Sequence, residues 1–350
     1  MKEENKRFLI ALLRFHGDIV LITPLIAAIK RLYPDSKIDL LVYKGTHFIL
    51  EDDTRINEVF EANLSSETGL FKKIVDEVNL CLRLRSNNYD YGVFLTTQWR
   101  MAFISRIISP ANSAGVSDAK RRGRFWSKSF DHIFPEVGEN HILERNLSSL
   151  ESLGFKINQA DFKLSLIISA YSRQSAKQLL NKYSVQSNYC VIHTVSRREP
   201  KLWQKERFSK VADYFSRKGL NVVLTSGPER EEIDYLSNIV ELCEEPVINL
   251  GGKTSLMELA ALMERAEFFI GLDSVSSHIA AAACIPSVTL FGPSNSVNWK
   301  PWSKKSMVIS RTGSEEYCEL HGHLGGKFET CLCYISPKQV IDAIEKAKLL

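Results

Sequence analysis

The sequence predicts an α/β protein of two Rossmann-like parallel-sheet domains facing a cleft, and three observations predict it. Strand-like and helix-like segments alternate along all 350 residues. The alternation restarts near residue 170. The stretch FFIGLDSVSSHIAAAACIPSVTLFGPSNSVNWKPW, Phe268 to Trp302, reads as one strand–turn–helix–strand unit of a parallel sheet. The join predicts domains at 1–165 and 166–335, with a final helix in 336–350.

In order, the apolar run Arg7 to Leu13 is a first strand and Ile38 to Val42 a second. Between them Thr23 is placed to cap a helix that has Pro24 at its first position and runs to about Leu32. Tyr91 to Thr96 is a further strand that enters the loop Thr97-Gln98-Trp99-Arg100. In the second half, Ser172 to Tyr183 suits a helix, Tyr189 to Thr194 a strand, Phe208 to Lys218 a helix and Asn221 to Thr225 a strand. Gly219 stands where a helix ends in the left-handed conformation. Phe268 to Ile270 begins the next unit, a break at Gly271-Leu272-Asp273-Ser274 follows, and a small-residue helix carries His278. Ser287 to Phe291 is its second strand, ending at Gly292-Pro293-Ser294, and Pro337 to Lys348 closes the chain.

Composition is that of a folded protein, 44% hydrophobic and 25% charged, which supports two cores and excludes general disorder. The first apolar run, Phe8 to Leu13, is too short for a signal peptide, and no stretch nears the ~20 apolar residues of a membrane span. A cytoplasmic protein is expected. Its seven cysteines are odd in number and scattered, which reads as reduced thiols. The net charge of +4 is mild, but Lys120, Arg121, Arg122, Arg124 and Lys128 crowd one segment with no acid among them. Arginine forks suit phosphate groups. No nucleic-acid-binding motif accompanies them, so no nucleic-acid partner is expected.

Asp273, Ser274 and His278 lie where a strand's carboxyl end meets a helix start, a place where such folds bind anions. Asp18, after Gly17, lies at the matching edge of the first sheet. The set Cys318, His321, His323, Cys331 and Cys333 invites a zinc reading, but its spacing matches no common zinc pattern. No metal site is expected, and the chain has no D-x-D motif.

The run D-S-x-x-x-H-x-A-A-A from Asp273, with Gly271 before it and Phe291-Gly292-Pro293 after it, resembles the donor-site signature of glycosyltransferase family 9, the lipopolysaccharide core heptosyltransferases. The opening RFHGDIVLITPLIAAIKRLYPDSKIDLLV resembles that family's first strand, Gly-Asp turn, Pro-started helix and second strand. Its RFHGD is most similar to the heptosyltransferase III branch.

The resemblance implies a GT-B fold and inverting, metal-independent transfer of L-glycero-D-manno-heptose from ADP-heptose to a heptose of the lipopolysaccharide inner core. It implies no cofactor, and work at the anionic inner face of the inner membrane. Asp18 would be the general base that takes the acceptor hydroxyl proton. A helix start lowers a carboxylate's basicity, whereas a base gains from a raised pKa, so these two influences oppose each other there. Lys201 and a hydroxyl, either Thr194 or Ser196, would hold the donor diphosphate. Val195 replaces one hydroxyl of the family pattern, and the loop is one residue longer. Asp273 would bind sugar hydroxyls, and Ser274 with the neighbouring amides the diphosphate. His278 would share the helix face of Ser274, and Val275 stands where many members have glycine. Glu231, or Glu229, would reach a ribose hydroxyl, and Arg121, Arg122 and Arg124 would dock the acidic acceptor. Competing readings are the same fold with another nucleotide sugar or acceptor, a nucleotide-sugar epimerase, and a non-catalytic nucleotide-binding subunit. A dehydrogenase is disfavoured, because no G-x-G-x-x-G follows the first strand.

Overall fold

The structure, a computed structural model, describes residues 5–63, 70–121, 123–136, 138–185, 187–197, 201–292, 294–311 and 331–348. Arg122, Cys318, His321 and His323 lie outside the described residues. The chain divides into two compact units, Met1–Ile167 and Ile168–Leu350.

The first unit carries strands β1 (Arg7–Leu12), β2 (Lys37–Tyr43), β3 (Ile56–Ala62), β4 (Tyr91–Phe94), β5 (Asn112–Ser117) and β6 (His132–Pro135). Its helices are α1 (His16–Val20), α2 (Thr23–Leu32), α3 (Leu70–Arg85), α4 (Trp99–Ile108), α5 (Arg124–Ser127) and α6 (Ile142–Ser152). The second unit carries β7 (Tyr189–His193), β8 (Asn221–Thr225), β9 (Ile248–Asn249), β10 (Phe269–Leu272), β11 (Ser287–Phe291) and β12 (Ser306–Ser310). Its helices are α7 (Ala170–Lys182), α8 (Lys205–Arg217), α9 (Arg230–Leu242), α10 (Leu256–Met263), α11 (Val275–Ala282), α12 (Ser296–Trp299) and α13 (Pro337–Ala347).

The two sheets run β3-β2-β1-β4-β5-β6 and β12-β11-β10-β7-β8-β9. All their pairings are parallel. Counted from one within each unit, both read 3-2-1-4-5-6, the doubly wound Rossmann order. The order reverses between β1 and β4 in one sheet and between β7 and β10 in the other. In folds of this order, such a reversal is where ligands bind, beyond the strands' carboxyl ends. The central strands are apolar because both of their faces are covered: β1 is buried from Phe8 onward and β7 throughout.

Two local expectations need correction. Thr23 does not cap α2; Ile22 takes that place. The Thr23 hydroxyl instead donates to the Val20 carbonyl at 2.8 Å and accepts from the Ser165 amide at 3.2 Å, so it fastens the turn before the helix. Asp18 lies in the first turn of α1. β10 runs on through Gly271 and Leu272, so the break begins at Asp273. Gly271 is needed within that strand, because a Cβ there would come within 2.3 Å of the Phe269 ring. Gly219 follows α8 with φ +85°, where L side chains are strained.

Candidate active site

At the β1/β4 switch point, the chain leaves β1 through Leu13 and Arg14 into α1. Gln98, from the loop after β4, donates to the Leu13 carbonyl at 3.0 Å and accepts from the Tyr43 hydroxyl at 3.1 Å. One side chain thus ties the ends of β1, β2 and β4 together. The Asp18 carboxylate accepts from the Phe15 amide and its own. Burial raises its pKa from the usual 3.8, against the nearby positive charges of Arg14 and Arg145 and those backbone hydrogen bonds. Burial therefore outweighs the helix start, and the carboxylate is more basic than a surface aspartate.

Arg145, on α6, was not singled out from the sequence. Its guanidinium is 5% exposed and donates to Glu136 at 2.5 Å, the Leu95 carbonyl at 3.0 Å and Asn146 Oδ1 at 2.8 Å. Asn146 in turn donates to the Leu21 carbonyl at 3.2 Å, joining α6 to the residue that ends α1. Glu144 closes a capping box with His141 at the start of α6, which sets the helix register and so the place of Arg145.

At the β7/β10 switch point the candidate residues come together. Lys201 Nζ lies 2.5 Å from Asp273 Oδ2, and Ser196 Oγ donates to the Asp273 carbonyl at 3.3 Å. Ser274 is the N-cap of α11, with its hydroxyl 2.7 Å from that of Ser276. Val275 is the first residue of that helix, so its amide is among those that no helical turn satisfies. Lys201 owes its position to Trp203. The indole is fully buried, stands edge-on to Phe208 at 4.9 Å and donates to the Ile335 carbonyl at 3.1 Å. The Tyr235 hydroxyl also bonds the Trp203 carbonyl. Trp203 is thus a buried anchor that holds the loop carrying Lys201.

The pair Thr194 and Ser196 separates. Thr194 is fully buried, its amide donates to the Thr225 carbonyl at 3.2 Å, and its hydroxyl has no partner among the described residues. Ser196 is half-buried beside Asp273, which leaves it the hydroxyl within a ligand's reach. His278 is 4% exposed and belongs to the buried face of α11. His193, which ends β7, packs its Nδ1 3.0 Å from the Thr225 hydroxyl, and burial pushes its pKa down to about 4. It is neutral at physiological pH.

Glu229 and Glu231 are exposed at the start of α9, after β8. Glu232 is the better placed acid there. It is half-buried, accepts from the Gly227 amide and has its pKa raised, by burial first and then by Glu229 and Glu231. A carboxylate at this helix position is a common cap, the only signal that could have marked it. Arg121 is committed to the chain: its Nε donates to the Thr97 carbonyl at 2.7 Å, and its guanidinium lies 4.6 Å over the Trp99 ring. Arg124 is exposed on α5. A hollow of about 710 Å³ opens beside Tyr189 and Leu262, at the amino-terminal end of β7, and is lined by none of these residues.

Residues 78–323 match the family described as glycosyltransferase family 9 (heptosyltransferase). The chain is 38% identical over 293 residues to lipopolysaccharide heptosyltransferase 3 of Escherichia coli K12, which covers 83% of this chain and 84% of the relative. A second Escherichia coli protein of that name is 37% identical over 95% of this chain and 97% of its own. Among solved structures, that of the Escherichia coli ADP-heptose LPS heptosyltransferase II superposes with a TM-score of 0.74 at 20% identity, covering 98% of each chain.

Proposed function

The chain belongs to glycosyltransferase family 9, the heptosyltransferases, and on that premise we propose that it moves L-glycero-D-manno-heptose from ADP-heptose to a heptose of the lipopolysaccharide inner core, with inversion and without a metal. The observation that carries the chemistry is Asp18, a half-buried carboxylate at the first switch point whose pKa burial raises. Such a group takes a proton from an attacking hydroxyl more readily than a solvated one. The acceptor oxygen then displaces ADP from the anomeric carbon, which inverts the configuration.

The second unit takes the donor. Lys201 faces the diphosphate and offsets the charge that grows on the leaving ADP, with Ser196 and the amides of Ser274 and Val275 supplying hydrogen bonds. Asp273, released from Lys201 as the phosphates enter, accepts from sugar hydroxyls. The acids at the start of α9 receive the ribose, with Glu232 added to Glu229 and Glu231. Lysine and helix-start charge do the work that a divalent ion does elsewhere. The acceptor is a lipid-anchored, phosphorylated sugar, approached by Arg124 from the first unit, and the protein meets it as a peripheral protein at the inner face of the membrane. No described helix is long and apolar enough to cross a membrane.

The test is ADP release from ADP-heptose against a panel of truncated core lipopolysaccharides. The reading expects release that requires one core acceptor. Release without any acceptor would favour an epimerase-like or hydrolytic activity, and tight ADP-heptose binding with no transfer to any acceptor would favour a binding subunit.

A further inference from the structure

Outside the two switch points, the first unit leaves one apolar face uncovered by the described chain. On α3, Ile74, Val78 and Leu82 recur every fourth residue, and on α4 so do Trp99, Phe103 and Ile107. This spacing puts each trio on one side of its helix. All six are between 39% and 57% exposed, and Phe125 on α5 is 40% exposed. The helices adjoin: Arg100 on α4 grips the Glu77 carboxylate of α3, with Nε to Oε1 at 2.7 Å. Phe125 lies 5.2 Å from Phe103 and 5.9 Å from Trp99, centroid to centroid, so the aromatic rings form one surface. A soluble monomer seldom leaves so continuous a patch open unless something covers it.

The rim says what covers it. Arg106 lies 4.6 Å over the Phe125 ring, and Arg121 lies over Trp99. Arg85 donates to the Ile107 carbonyl at 3.2 Å, and Arg124 and Lys128 stand exposed at the two ends of α5. Glu77, one of the two acids of α3, is spent on Arg100. A second copy seated on this patch by two-fold symmetry would press two basic rims together, which charge opposes. A surface of negative phosphates over hydrocarbon satisfies both the apolar stripes and the rim. The patch also continues into the site: Trp99 follows Gln98, which holds the end of β1.

We propose that the α3–α4–α5 face of the first unit docks on an anionic lipid bilayer, its two apolar stripes at headgroup depth and the exposed Arg124 and Lys128 of its basic rim facing the lipid phosphates. This rests on the reading that the acceptor is a membrane lipid, and it names the surface that brings the site to it.

The experiment is flotation of the full chain with phosphatidylglycerol–phosphatidylcholine vesicles and with phosphatidylcholine alone, for the wild type and for Val78→Ser combined with Phe103→Ser. Both side chains are exposed, so the fold should survive, as circular dichroism would confirm. The wild type is expected to float with the anionic vesicles, less so in high salt, and not with the neutral ones. The double variant should partition roughly tenfold more weakly, from the loss of two inserted apolar groups. Its ADP release with a soluble truncated acceptor should equal the wild type's. Equal flotation of the variant, or a wild type that floats with neither vesicle, would overturn the proposal. So would a wild-type dimer in sedimentation that the variant dissolves, which would make the face a self-interface. If the wild type floats but releases no ADP with any soluble acceptor, the functional reading has failed and the docking surface stands.

Discussion

The two units share one strand order yet prepare their switch points in opposite ways. In the first, Asp18 has no salt bridge among the described residues, and burial raises its pKa against two backbone hydrogen bonds and the nearby charges of Arg14 and Arg145. In the second, the acid at the equivalent switch point is paired, Asp273 against Lys201 at 2.5 Å. A carboxylate whose pKa is raised by burial is poised to gain a proton, whereas a salt-bridged one is poised to exchange partners when an anion arrives. On the proposed reading the same scaffold supplies a base in one place and a charge clamp in the other, and the difference lies in a few side chains at the strand ends.

The largest expected effect breaks the first half of the comparison. Asp18→Asn should lower kcat about 10²- to 10⁴-fold, the usual contribution of a general base, with donor affinity unchanged. It should also stabilise the fold at neutral pH. A carboxyl whose folded pKa is raised gives its full stabilising contribution below 3.8 and loses it as pH rises through the folded pKa. Melting curves should show the variant's advantage at neutral pH and its disappearance in acid.

His193 is a buried titratable group of the second unit, and its sign is opposite. With a folded pKa of about 4 against the usual 6.5, it supports the fold fully above pH 6.5 and withdraws that support as pH falls toward 4. The shift amounts to up to about 3 kcal/mol. Denaturant melts over this window should flatten in His193→Gln.

Lys201→Met sharpens the contrast further. It should raise the donor KM by an order of magnitude or more and cost about 2 kcal/mol of stability, since it leaves the largely buried Asp273 unpaired. Adding Asp273→Asn should restore the stability without restoring donor affinity, which separates the ion pair's structural part from its ligand part. The smallest expected effect is none: transfer should survive EDTA, because on the proposed reading lysine and helix-start charge stand in for a metal. Abolition by EDTA with rescue by magnesium would contradict that.

Much of the fold was legible because the elements near the site have strong patterns. The bounds of β8, Asn221–Thr225, and of β11, Ser287–Phe291, and the end of α2 at Leu32 follow from apolar periodicity and turn residues. β5 gave no such signal. Its sequence NSAGVS is small and polar, and Gly115 within it makes room for the Phe130 ring, which a Cβ would meet at 2.5 Å. In the site, Lys201 and the run from Asp273 were visible, but their meeting across 72 residues was not. Arg145 had no local mark at all, since its relation to Asp18 exists only once α6 folds against α1. Thr194 and Ser196 looked interchangeable because strand end and loop cannot be told apart to one residue; folding buries the first and presents the second.

The most direct test of this asymmetry is kcat against pH, with saturating ADP-heptose and a truncated core acceptor, for the wild type and for the residual activity of Asp18→Asn. The account predicts that wild-type activity falls on the acid side through a single group with a pKa above 3.8, and that the variant has no such limb. An acid limb of equal position in both proteins, or none in the wild type, would mean that Asp18 is not the group that accepts the proton.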